Sequence, residues 1–81
     1  MYTLKENEKT TSAMFYTHDA LFHGNVITTE MARVNIWLRS ESAPKFIHML
    51  NAQMISLNGN GKSMRFDEVF IPTTEIIAYH V

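Results

Sequence analysis

Cysteine is absent from the chain. That excludes disulfides and thiolate metal sites, and it fits a reducing, cytoplasmic setting. Proline and glycine are scarce, with two and three copies in 81 residues, which excludes collagen-like and low-complexity organisation. Charge of one sign is also missing. The formal net charge is -1, so no global basic field attracts nucleic acid, and any such contact has to come from a local patch. No apolar run approaches the roughly 20 residues of a membrane span. The opening MYTLKENEKTTSAM has no apolar core of the kind a signal peptide carries, so no membrane partner is expected.

The composition is that of a globular protein: 46% hydrophobic and 19% charged. Eighty-one residues are enough for one small domain. A domain of this size buries only about 60% of the surface its unfolded chain exposes, so its core needs support. With disulfides excluded, self-association is the expected source. Residues 1–11 are polar and read as a flexible arm, and residues 12–81 as a single domain.

Strand patterns dominate that domain. SAMFYTHDALFHGNVITT is aromatic and β-branched, with a turn-prone His18-Asp19, and predicts antiparallel strands over 13–17 and 20–28. Gly24 lies inside the second, where glycine marks a bulge, a bend or a close backbone approach. RVNIWLRS alternates, setting Val34, Ile36 and Leu38 against Arg33, Asn35, Trp37 and Arg39, and predicts a third strand. SESAPKFIHMLNAQMISL places Phe46, Ile47, Leu50 and Met54 at helical spacing behind Pro44, predicting one short helix. Asn58-Gly59-Asn60-Gly61 is the strongest turn signal, ahead of a fourth strand through KSMRFDEVFI. Pro72-Thr73-Thr74-Glu75 then interrupts the chain before a fifth strand over 76–81. Proline has no N–H to give a ladder, so Pro72 predicts a corner. The expected fold is mostly β: five antiparallel strands, strongly bent, closed into a small barrel that leaves no long apolar edge, with one short helix.

Catalytic signatures are not found. No nucleophile motif or phosphate loop is present, and Asp67 and Glu68 are neighbours on a strand, so they face opposite ways. The protein is expected to be no enzyme and to take no cofactor, metal or small-molecule substrate. His18, His23, His48 and His80 show no ligand spacing. The candidate nucleic-acid surface is Arg33, Asn35, Trp37 and Arg39, extended by Lys62 and Arg65, because arginines beside an aromatic suit stacking on bases and contact with phosphate. The alternative is a buried Trp37 with the arginines paired to Glu30 or Glu41.

Two stretches carry a resemblance. Gly24 followed by Val26, with Glu30 at an acidic position, and Ile71-Pro72-Thr73-Thr74-Glu75-Ile76-Ile77 near the end together resemble the two signatures of Sm-like proteins. Pro72-Thr73 stands where that family has Arg-Gly, and Val34 where it has Asn, with Asn35 one residue late. The resemblance implies a bent five-stranded barrel and rings in which the fourth strand of one copy joins the fifth of the next. Phe66, Phe70, Ile76, Ala78 and His80 would then lie at the junction. It also implies binding of single-stranded RNA, or DNA, with a processing role. The alternative function is a protein-interaction or scaffold module that self-assembles through the same edges without nucleic acid, and a weaker third is a small-ligand barrel.

Overall fold

The computed structural model describes residues 2–29, 34–39, 43–58 and 61–81, without the side chains of 35–37. Five strands form one antiparallel sheet: β1 (Glu8–Tyr16), β2 (Ala20–Thr29), β3 (Phe46–Ser56), β4 (Ser63–Pro72) and β5 (Ala78–His80). A short helix α1 (Val34–Arg39) lies between β2 and β3, and a single 3-10 turn, Thr73–Glu75, between β4 and β5. The spatial order is β4-β3-β2-β1-β5.

Each connection has a local cause. At the β1–β2 turn the Thr17 N–H donates to the Ala20 carbonyl at 2.8 Å, and the Ala20 N–H donates to the Thr17 hydroxyl at 3.2 Å. The β3–β4 hairpin falls at the Asn-Gly signal; Gly61 takes a φ of 59°, a conformation glycine adopts without steric cost. Pro72 ends β4 as the expected corner. Beyond it, the Thr73 N–H donates to the Lys45 carbonyl at 2.8 Å and its hydroxyl to the Pro44 carbonyl at 2.6 Å, tying the turn to the start of β3.

The central feature is a bulge. His23 pairs with Gln53 and Asn25 with Leu50, so Gly24 alone faces both Asn51 and Ala52. Asn51 accommodates the extra residue with a φ of 50°, in the left-handed region that asparagine tolerates. A Cβ on Gly24 would stand 2.8 Å from the Ala52 Cα. The close approach expected at Gly24 is therefore present, and only glycine fits it.

The sheet is curled. Between Pro72 and Ala78 the chain passes from one sheet edge to the other. A flat five-stranded sheet would separate those edges by about 19 Å. Six residue steps, half of them in a 3-10 turn, reach only about 16 Å, so the sheet has to curl. Its inner face holds the core: Ala13 and Phe15 from β1, Val26 from β2, Ile47, Met49 and Ala52 from β3, Ile71 from β4 and Val34 from α1. Phe15, Val26, Ile47 and Met49 are fully buried, each worth about 1.5–3 kcal/mol of burial.

Three expectations are corrected. The sheet is bent but not closed into a barrel, because β4 pairs only with β3 and the three-residue β5 pairs only with β1. The segment expected as a helix is β3, which pairs on both sides with β2 and β4. The segment expected as the third strand is helical, and Val34 and Leu38, four residues apart, both turn to the core. In addition, β1 begins at Glu8, so residues 8–11 of the expected arm belong to the sheet. Tyr2 is held as well: its hydroxyl donates to the Glu8 carboxylate at 2.7 Å, and its ring meets His48 edge-on at 4.6 Å.

Candidate functional site

Part of the expected nucleic-acid surface lies outside the described residues. It rested on strand alternation, and the backbone over Val34–Arg39 is helical, so residues two apart are no longer aligned. Arg33 lies outside the described residues, as do the side chains of Asn35 and Trp37. Arg39 is exposed at the end of α1. Lys62 and Arg65 are exposed at the start of β4, on the far edge of the sheet from β5. Of the six, Arg39 lies beside β5, and Lys62 and Arg65 lie at the opposite edge of the sheet.

The expected junction residues lie on those edges. Phe70 is 56% exposed on β4, whereas Phe66 is half-buried opposite Ala52. Ala78 and His80 are exposed on β5, while Ile76 packs against the core of its own chain. Sequence reasoning missed the most exposed large apolar side chains nearby: Met64 at 54% on β4, and Ile77 at 70% and Val81 at 54% beside β5. The phase of the fifth strand was taken from Ile76, and the 3-10 turn resets that phase.

Beside β5 a groove of about 660 Å³ runs along the free edge. Leu38, Ile76, Ile77 and Val81 give it an apolar wall, and Arg39 and His80 are its basic groups. The Ile77 N–H bonds inward to the Tyr16 carbonyl at 2.8 Å. On its outer side β5 has no strand partner among the described residues, and neither does β4. The β4 edge carries Asp67 and Glu68, both exposed.

The histidines are spread through the fold. His23 and His80 pair with Met14 from opposite sides, which puts them two strands, about 10 Å, apart. His48 is engaged on the outer face, 2.5 Å from the Glu68 carboxylate and stacked on Phe70 with centroids 4.3 Å apart. Among the described residues no three metal-ligating side chains cluster, and no helix is long and apolar enough to cross a membrane.

Compared with protein-family models, with curated proteins and with solved structures, the chain has no significant match.

Proposed function

We propose that the protein is a non-catalytic, cytoplasmic, Sm-like assembly module in which β4 of one copy joins β5 of the next. The observation that supports this reading is the strand order. The two strands with free edges are β4 and β5, and the large exposed apolar side chains Met64, Phe70, Ile77 and Val81 lie on or beside them. A free edge presents unpaired N–H and C=O groups, and a second strand satisfies them. The two edges differ in charge: β4 carries the exposed Asp67, and the groove beside β5 carries Arg39 and His80, so a junction would bring opposite charges near one another. A head-to-tail contact of this kind closes into a ring when its rotation permits.

Light scattering tests the assembly. A mass several times the 9.4 kDa of the chain is expected, and Ile77→Lys should return it to that of one chain. A wild-type monomer at all concentrations overturns the reading.

A second reading, binding of single-stranded RNA, is favoured by one feature of the charge distribution. Arg39 lies beside β5, Arg65 lies on β4, and Lys62 directly precedes that strand. One copy keeps these cations apart; a β4–β5 junction gathers them. Phosphate contacts strengthen at low salt, so oligoU and oligoA should bind the assembly in low salt and bind the Ile77→Lys monomer poorly. Equal binding by both forms, or none by either, rules the junction out as a nucleic-acid site.

A further inference from the structure

On the outer face of the sheet, at the bulge, lies a second depression of about 220 Å³. Four strands contribute to it: Ser12 from β1, His23 and Asn25 from β2, Asn51 and Gln53 from β3, and Arg65 from β4. Register brings them together, since Ser12 faces Asn25, and His23 faces Gln53, which faces Arg65. The bulge makes the hollow. The additional residue on β3 dishes the sheet, and Gly24 lines the hollow with backbone alone.

The chemistry of the lining is one-sided. Six side chains are hydrogen-bonding groups, one is a guanidinium, one an imidazole, and none is a carboxylate. Among the described residues, no side-chain hydrogen bond or ion pair occupies any of the six. Asn25 and Gln53 are half-buried in that state. Their carboxamide atoms stay accessible from the depression and unengaged within the fold, so they are free to bond a ligand.

We propose that this depression binds a small phosphate monoester. A guanidinium matches an oxyanion with two parallel N–H bonds. A phosphate monoester offers three strong acceptor oxygens to the donors around the depression, one more than a carboxylate. The carboxamides of Asn25, Asn51 and Gln53 both donate and accept, so they also serve the hydroxyls of the group that carries the phosphate. The site shares Arg65 with the edge strand β4, but the rest of its lining comes from β1, β2 and β3, and one copy supplies all of it.

Amide NMR of the whole protein tests it, with ribose 5-phosphate as the probe and inorganic phosphate and ribose as comparisons. Saturable shifts centred on Gly24, Asn51 and Gln53 are expected with ribose 5-phosphate, weaker binding with inorganic phosphate, and none with ribose. Arg65 is exposed, so Arg65→Ala keeps the fold, and it should weaken binding by about tenfold or more. Gln53→Ala should weaken it less. Lys45→Ala removes the same charge from an exposed position outside the depression and should leave binding unchanged. Non-saturable shifts, equal losses in Arg65→Ala and Lys45→Ala, or equal affinity for inorganic phosphate each overturn the proposal.

Discussion

His48 Nε2 lies 2.5 Å from Glu68 Oε2, reaching diagonally across the β3–β4 ladder. The imidazole is also stacked on Phe70 and met edge-on by Tyr2. One side chain therefore ties the edge strand β4 to β3 and holds the N-terminal segment on the outer face. The pair is partly solvated, so its electrostatic worth is small. Glu68→Gln should lower stability by about 0–1 kcal/mol in urea unfolding, while amide exchange speeds up around Lys5 and Glu8. Unchanged exchange there would show that His48 does not anchor the segment.

The Tyr2–Glu8 contact adds a pH dependence. The hydrogen bond from the Tyr2 hydroxyl, then that from the Lys5 N–H at 2.9 Å, holds the Glu8 carboxyl below its ordinary value of 4.5. The same bond to the Glu8 carboxylate raises the Tyr2 hydroxyl above 10.0. The ionised Glu8 is favoured by folding, so its contribution is complete above 4.5 and lost as pH falls through the lowered value. The protonated Tyr2 is favoured, so its contribution is complete below 10.0 and lost as pH rises through the raised value. The Tyr2 ring resonances should stay constant between these limits and move outside both. In Tyr2→Phe the carboxyl of Glu8 should titrate closer to its ordinary value.

Gly24→Ala should be costly for its size. The new methyl group would sit 2.8 Å from the Ala52 Cα and 3.1 Å from the Asn51 and Leu50 carbonyl oxygens, all of them backbone atoms. Backbone cannot step aside as the end of a flexible side chain does. A loss of about 1–3 kcal/mol is expected from denaturant midpoints. A neutral substitution would mean that the β2–β3 bulge rearranges freely.

Phe15→Ala should remove a large part of the stability. Phe15 is fully buried at the centre of the inner face, beside Tyr79 with ring centroids 6.3 Å apart. A core phenylalanine truncated to alanine costs about 3–5 kcal/mol, against a total of about 5–15 kcal/mol for a small domain. Thermal unfolding followed by circular dichroism checks this.

Thr28→Val should stabilise. Thr28 is only 2% exposed, and its Oγ1 has no hydrogen-bond partner among the described residues. Valine keeps the shape and removes the unpaired hydroxyl, for a gain of about 1 kcal/mol. A loss of stability would reveal a partner for that hydroxyl.

Much of the fold is legible where one residue forces one backbone. Gly24 signalled the close approach, Asn58 and Gly61 the hairpin, and Pro72 the corner; each has a local steric reason. The free edges of β4 and β5 were not legible, because the same reading of strands and turns predicted a closed barrel. The polar depression left a trace only in isolated polar positions, Ser12, Asn25, Gln53 and Arg65, far apart in the chain. Cross-strand register alone makes them neighbours.

By itself, then, the sequence determined an antiparallel β domain, where its turns fall, and the absence of any need for cysteine. Only tertiary structure decided which of the two middle segments is strand and which is helix. In β3 the buried residues run Ile47, Met49, then Ala52, because the bulge at Asn51 shifts the alternation by one. That broken phase mimics helical spacing. Pairing with β2 on one side and β4 on the other resolves it, since a central strand gains two ladders of hydrogen bonds. Over Val34–Arg39 the alternation was strand-like, yet the segment joins no ladder and is helical. There a single helical turn buries Val34 and Leu38 together.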